Sequence, residues 1–590
     1  MLKKTISFLT ALVMVLSVLC VNVYASEFKD IVLTKEEMTE NAYLAIENAL
    51  TDAKNNASDS LTYRIYVPSG NYTLVSGLHI YSNTQLILDK DTVLSRGFQS
   101  GNMIKVGLRG EQTRGYSGYK NILIDGGVWD SGYMGESCAM RFAHCTNLTL
   151  SNFTIKNIKN AHHMEVAATD GFNLTGCTFS GMIRTNSSSA EAVQIDILHE
   201  YEHFPDYYYY DDTPCKNVFV TGCTFTDLYS GIGTRSGVIG SYFDNINITN
   251  NTFKNITERA ITCFNYRNSS ISSNYIENAH LGIAFEYFPY SESSSNVSLR
   301  FSQANKGSVV EEVSGKANSS ISGNYISVAK TGDFKYNVGI FLYGSNVDSS
   351  DAKKYCVAKG DYTIEDMDIS NNSISCSGSS SRGIMLTGVN DSEIKANSIS
   401  QYASANSGIN ALNLCASNRN SVGSNYISGM FNNGISLYDN EDGDSRGNSI
   451  TSNTVNGVKS YGVRVAGNST ASIKWNNSFL SCGVSPICVS SVSYAQNLPG
   501  AEIKGISRSQ SGRAIVKWKA VDGAGGYKIY RSFSPDGPYR QIATVKGNSL
   551  MYLDKASRPG FTCYYKVSAY VSPSSTAVIS SPGGAYGVRL

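Results

Sequence analysis

Asn247-Ile-Thr-Asn-Asn-Thr-Phe253 has near copies at Ser270-Ile-Ser-Ser-Asn-Tyr-Ile276, Ser320-Ile-Ser-Gly-Asn-Tyr-Ile326, Asp368-Ile-Ser-Asn-Asn-Ser-Ile374 and Ile450-Thr-Ser-Asn-Thr-Val455. Each copy is a short alternation of apolar and polar residues that is broken by asparagine, the residue that best tolerates a left-handed backbone at a tight turn after glycine. Between the copies runs a second half-repeat: Gly231-Ile232, Ala260-Ile261, Gly282-Ile283, Gly339-Ile340, Gly383-Ile384, Gly408-Ile409, Gly434-Ile435 and Gly462-Val463. These isoleucines recur about every 22 to 29 residues, apart from two longer gaps, which is the signature of solenoid coils, some of them carrying insertions.

No single coil of this size can bury its own apolar face, so coils must stack, with Ile, Val, Leu and Phe inward and asparagines in ladders along the turns. The expected fold is all-β, a right-handed parallel β-helix from about 101 to 500. Residues 26–100 would form an N-terminal cap and the first coils. There, Thr34 and Glu37 form a capping box, and Ala42, Ala45, Ile46, Ala49 and Leu50 recur at helical spacing to close the open end. Residues 501–590 change character. Ala514-Ile-Val-Lys-Trp-Lys519, Gly526-Tyr-Lys-Ile-Tyr530 and Cys563-Tyr-Tyr-Lys-Val-Ser-Ala-Tyr570 are strands separated by turns, expected as a small β-sandwich around Trp518.

Residues 1–25 carry Lys3, Lys4, an apolar run from Phe8 to Val21 and a small-residue cleavage site, the pattern of a secretory signal peptide. The protein is therefore expected to be secreted, with no membrane span, and to be a monomer. The charge is balanced, with 49 Lys and Arg against 48 Asp and Glu, so no basic surplus points to nucleic acid. The 13 cysteines are scattered, several at inward strand positions such as Cys177 and Cys223, and read as buried ladder residues. No cysteine or histidine spacing fits zinc, so neither metal nor cofactor is expected.

Polar chemistry is concentrated between about 160 and 290. In Glu191 to Ile197, Val193, Ile195 and Ile197 alternate with Gln194 and Asp196, a strand expected to have one buried and one wet face. Side-by-side stacking gathers His162, His163, Glu165, Glu191, Gln194, Asp196, Arg235, Arg259 and Glu286 onto one face. Stacked carboxylates raise one another's proton affinity, so one can serve as acid and one as base. Asp196 leads this assignment, followed by Glu191 and Glu165, with Arg235 and His163 as further catalytic groups. Gln194, His162, Arg259 and Glu286 would bind substrate. So would His199, His203, Tyr208 and Tyr209 on the loop that follows, where aromatic rings can stack on sugars.

The N-terminal helix, Tyr66-Val-Pro-Ser-Gly-Asn-Tyr72, Leu86-Ile-Leu-Asp89, Asn121-Ile-Leu-Ile-Asp-Gly-Gly127 and Asn147-Leu-Thr-Leu-Ser-Asn-Phe-Thr-Ile155 together resemble the pectin-lyase-like superfamily, in an order most like the polygalacturonase family. The resemblance implies a β-helix acting on polysaccharide. That family's Asn-Thr-Asp, Asp-Asp, Gly-His-Gly and Arg-Ile-Lys signatures are replaced here by Val193-Gln-Ile-Asp196, Leu228-Tyr-Ser-Gly231 and Arg259-Ala-Ile-Thr262, with no Gly-His-Gly. The C-terminal segment resembles a fibronectin type III module. The expected function is a secreted glycoside hydrolase with a polysaccharide substrate. The alternatives are a polysaccharide lyase or epimerase on uronic acids, which would bring in Ca2+, and a non-catalytic glycan-binding protein or adhesin.

Overall fold

The repeat fixes the architecture through two buried columns. In one, Ile65, Leu86, Ile124, Leu150, Leu174, Val220, Ile248, Ile271, Ile321 and Ile369 follow one another on neighbouring parallel strands. In the other, Ile232, Ile261, Ile283, Ile340, Ile384, Leu412, Ile435, Val463 and Ile487 do the same. The computed structural model describes residues 27–186, 190–198, 204–205, 207, 209–236, 241–287, 316–329, 337–347, 360–378, 380–402, 409–440, 443–474, 476–489, 494–495, 500–522, 524–536, 538–570 and 586–589. Those up to residue 495 form a parallel β-helix, its strands gathered in sheets of 18 and 26 strands. The stretch read as a signal peptide lies outside the described residues.

Two expectations about the repeat need correction. The rung after Ile384 is Leu412 rather than Ile409, because the chain pairs Ile384 with Leu412 and so shifts the rung three residues onward. The asparagines of the long buried ladder are also not the left-handed ones. Asn251, Asn274, Asn324, Asn372, Asn397, Asn425, Asn453 and Asn477 form one ladder in which each side-chain amide donates to the next asparagine's Oδ1 at 2.9–3.1 Å. The positive φ falls one residue earlier, at Asn250, Ser273, Gly323, Asn371, Ala396, Ser424 and Ser452. On another edge the sequence reading holds as made: Asn147, Asn217, Asn245, Asn268 and Asn318 are left-handed and stack side by side at the surface.

The helix Lys35–Asn56 covers the N-terminal end, with the Thr34 and Glu37 capping box formed and Met38, Ala42, Ile46, Ala49, Leu50 and Ala53 buried. It is the one helix among the described residues, and it is not long and apolar enough to cross a membrane. Beyond residue 500 the pairing turns antiparallel. Ile503–Arg508, Ala514–Trp518 and Met551–Leu553 form one sheet, and Gly526–Ser532, Arg540–Lys546, Thr562–Tyr570 and Tyr586–Arg589 another. Trp518, Tyr527 and Tyr565 are buried, and the Tyr565 hydroxyl donates to Asp554 Oδ2 at 2.8 Å.

Candidate active site

Met140, Met164, Val193 and Ile232 form the inward column of four consecutive coils. The next residue along each strand must then face outward, which brings Arg141, Glu165, Gln194 and Gly233 into line. The same column continues with Thr262, Ala284, Phe341 and Met385 on the following coils. Rungs are about 4.8 Å apart, so this is a row of charge, then a hollow floored by Gly, Thr and Ala, then an apolar wall. Leu281, Ala284 and Val338, with Phe341 and Met385 packed on them, make that wall a separate hydrophobic cluster.

At the polar end the groups are tightly linked. Arg141 Nε donates to Glu165 Oε2 at 2.5 Å. His162 lies between two carboxylates, its Nε2 3.7 Å from Glu165 Oε1 and its Nδ1 3.4 Å from Glu191 Oε2. Burial alone would raise the Glu165 pKa, but Arg141 and His162 outweigh it and hold the carboxyl below its ordinary range. The Glu191 side chain extends over the neighbouring coil, where a β-carbon on Gly233 would fall 2.3 Å from its Cγ. Arg259 Nη1 donates to Glu286 Oε1 at 2.6 Å on the flank of the hollow.

The strand Glu191–Asp196 is not wet on its outer face as expected. Gln194 is 1% and Asp196 0% exposed, and Glu165 and Glu286 are buried as well. After the strand the chain returns to it, with Asp212 N donating to Leu198 O and Leu198 N to Thr213 O. It brings Pro205 O to 3.2 Å from Arg141 Nη1 and the Phe204 ring to 5.7 Å from its guanidinium. Asp211 and Pro214 anchor it to Gly115 and Tyr116 of an earlier coil.

Asp196 Oδ1 accepts the backbone N–H groups of Ile197 and Ser236, at 2.9 and 3.0 Å, and Gln194 Nε2 donates to Oδ2 at 2.6 Å. Burial pushes its pKa up to about 7, although all three donors pull the other way. The carboxyl thus ties the end of one strand to the turn after the next.

His163 does not join the outward face. It points into the core, fully buried, with Nε2 2.9 Å from Ser180 O and its ring edge-on to Phe179, and burial pushes its pKa down to about 4. The chain bends at His163, so the alternation that begins at Met164 does not reach back to it, and His162 is the histidine that meets the carboxylates. Arg235 is exposed just past the strand Ser230–Gly233. Tyr209 is committed to the wall, its ring 3.5 Å from the Arg114 guanidinium. His199, His203 and Tyr208 lie outside the described residues.

Sequence reasoning missed Arg141 and Gly233. Gly233 falls within the Gly-Ile-Gly half-repeat already noted, so a second glycine one residue past the inward isoleucine was the available signal. Among the described residues no group of three His, Cys, Asp or Glu could hold a metal ion.

No protein-family model matches the chain, and no curated protein matches it in sequence. Among solved structures it is similar to a tailspike protein of the E. coli bacteriophage HK620, with 13% identity and a TM-score of 0.49 over 93% of this chain and 88% of that one. It is also similar to the Streptococcus pneumoniae surface protein and adhesin PfbA, with 16% identity and a TM-score of 0.47 over 76% of this chain and 96% of that one. A third similarity, to a Fn3-like protein from Clostridium thermocellum, has 30% identity and a TM-score of 0.13 over 15% of this chain and 86% of the other. The fold itself rests on the parallel strand pairing.

Proposed function

We propose that the chain is an exported polysaccharide-acting protein that hydrolyses a glycosidic bond in the hollow beside Glu191. The observation that carries this reading is the pair of carboxylates, Glu165 and Glu191, on opposite nitrogens of the His162 ring at the edge of a floor of small residues. Glu191, half-buried and extended over Gly233, is the group placed to exchange a proton with a sugar oxygen or an attacking water. Behind it, His162 can pass that proton on, with Glu165 kept ionised by Arg141. Asp196, sealed from solvent, takes a positioning role, and the Phe341 wall offers an apolar surface to a sugar face.

The burial of Glu165 and Asp196 favours a second reading, a glycan-binding protein with no turnover. The deciding experiment incubates the mature protein with a panel of plant, algal and host polysaccharides, with and without calcium. It reads new reducing ends together with the ultraviolet absorbance of unsaturated products. Reducing ends without absorbance, lost in Glu191→Gln, support hydrolysis. Both signals together mean β-elimination and would replace it. Binding without any product means recognition alone.

A further inference from the structure

Gly176-Cys-Thr-Phe179 and Gly222-Cys-Thr-Phe225 are the same four residues on neighbouring coils. Thr175 pairs with Thr221, Thr178 with Thr224 and Phe179 with Phe225, so Cys177 and Cys223 face each other across one rung. The two phenylalanine rings stack at 5.0 Å, and the two glycines share a φ of 66°, so the turn is the same in both coils. From the geometry we propose that Cys177 and Cys223 are joined by a disulfide in the exported protein, a cross-link between coils that closes a loop around the strand Glu191–Asp196.

A rung of about 4.8 Å places the two α-carbons inside the ~4.4–6.8 Å span of disulfides. Both side chains are buried, and each sulfur is also directed at a backbone carbonyl of the coil before, Leu150 O for Cys177 and Leu174 O for Cys223. The two thiols are within hydrogen-bonding reach of one another, and the bond from Cys177 holds the Cys223 thiol below its ordinary range. That favours Cys223 as the sulfur that reacts first.

Along the solenoid the other strand cysteines face residues of other kinds across the rungs. Cys145 pairs with Tyr119, Cys263 with Phe285, Cys376 with Val328 and Gln401, Cys415 with Thr387 and Tyr438, and Cys488 with Arg464. The position is also structurally marked. Cys177 and Cys223 stand where the asparagine ladder would continue, and Cys223 N still donates to Asn251 Oδ1 at 2.9 Å. The ladder's amides give way to two sulfurs at the coils that carry the site. Between the two cysteines lie Glu191, Gln194, Asp196 and the whole covering segment to Pro214.

The bond forms by exchange with an external disulfide oxidant of the export compartment. The Cys223 thiolate attacks one sulfur of that disulfide and expels the other as a thiolate, giving a mixed disulfide. The Cys177 thiolate then attacks the Cys223 sulfur and releases the second thiolate. The two cysteine thiols lose two protons and two electrons, and the oxidant leaves as a dithiol.

The test uses the full chain exported into an oxidising compartment, denatured in an alkylating agent without reductant, digested and mapped by mass. The expected result is a pair of peptides, one with Cys177 and one with Cys223, joined without alkylation and separated by reduction. In Cys177→Ser the Cys223 thiol becomes alkylated, and in Cys223→Ser the Cys177 thiol does. Alkylation of both cysteines in the wild type, or linkage of either to a different cysteine, overturns the proposal. The wild-type map decides the matter even where a variant fails to be exported.

Discussion

Gly233 lies beneath the Glu191 side chain, and a β-carbon on it would fall 2.3 Å from Glu191 Cγ and 3.0 Å from the carboxyl carbon. The contact is with the stem of the side chain rather than its free end, so Glu191 cannot simply swing its tip aside. The glycine is what allows this carboxylate to reach across to the next coil.

Gly233→Ala should therefore move Glu191 and reduce turnover by tenfold or more on any glycan the protein cleaves, at an overpacking cost of about 1–3 kcal/mol. The cost should shrink when Glu191→Ala is present, because the clash is then gone. Urea denaturation of the two single variants and the double variant measures this coupling, and equal costs in both backgrounds would refute the contact.

Asp196 gives a pH-dependent expectation. Its folded-state pKa of about 7 lies above the ordinary aspartate value of ~3.9, so its contribution to stability is full below pH ~4 and is lost as pH rises toward 7. The slope in that window is on the order of 1.4 kcal/mol per pH unit. Asp196→Asn removes the slope and gains on the wild type from pH 4 to 7. Urea midpoints for both proteins across that range should converge and then cross.

Arg141 and Glu165 are both sealed, with side chains only 10% and 5% exposed. Glu165→Ala leaves the guanidinium uncompensated and should cost about 3–5 kcal/mol, whereas adding Arg141→Met to it should restore much of the loss. Thermal melting of the two variants reads the difference.

In the ladder, Asn372 accepts from both the backbone N–H and the side-chain amide of Asn324, at 3.0 Å each. Asn372→Ala should cost about 1–3 kcal/mol for each amide left unpaired. Asn318→Gly, in the exposed row where a φ of 45° is needed, should stay within ~0.5 kcal/mol. Chemical denaturation distinguishes the two.

The β-helix was legible because its determinant is local and repeated: Asn247 to Phe253 and its copies carry alternation, turn and spacing within a few residues. The site was legible as a cluster but not as an arrangement. Arg141 meets Glu165 across 24 residues, a distance set by the length of one coil that no short window reveals. His162 and His163 are indistinguishable by composition, and only the register says which faces outward. Asp196 was expected in water because alternation describes a strand, whereas its carboxyl is taken up by the backbone N–H groups of Ile197 and of Ser236 on the next coil and by the Gln194 amide.

The buried ladder begins at Asn251 and runs to Asn477, so the coils bearing Glu165, Glu191 and Asp196 lie outside it. The coils from Asn251 to Asn477 are zipped by side-chain amides, and opening any one of them exposes two neighbours. The site coils lack this amide zipper, and the Cys177 and Cys223 pair stands in its place there. Amide hydrogen exchange should thus divide the solenoid into a slow distal stretch and a faster proximal one. Glu165 and Glu191 would then sit on the faster side of that seam and the Thr262 and Ala284 floor on the slower one.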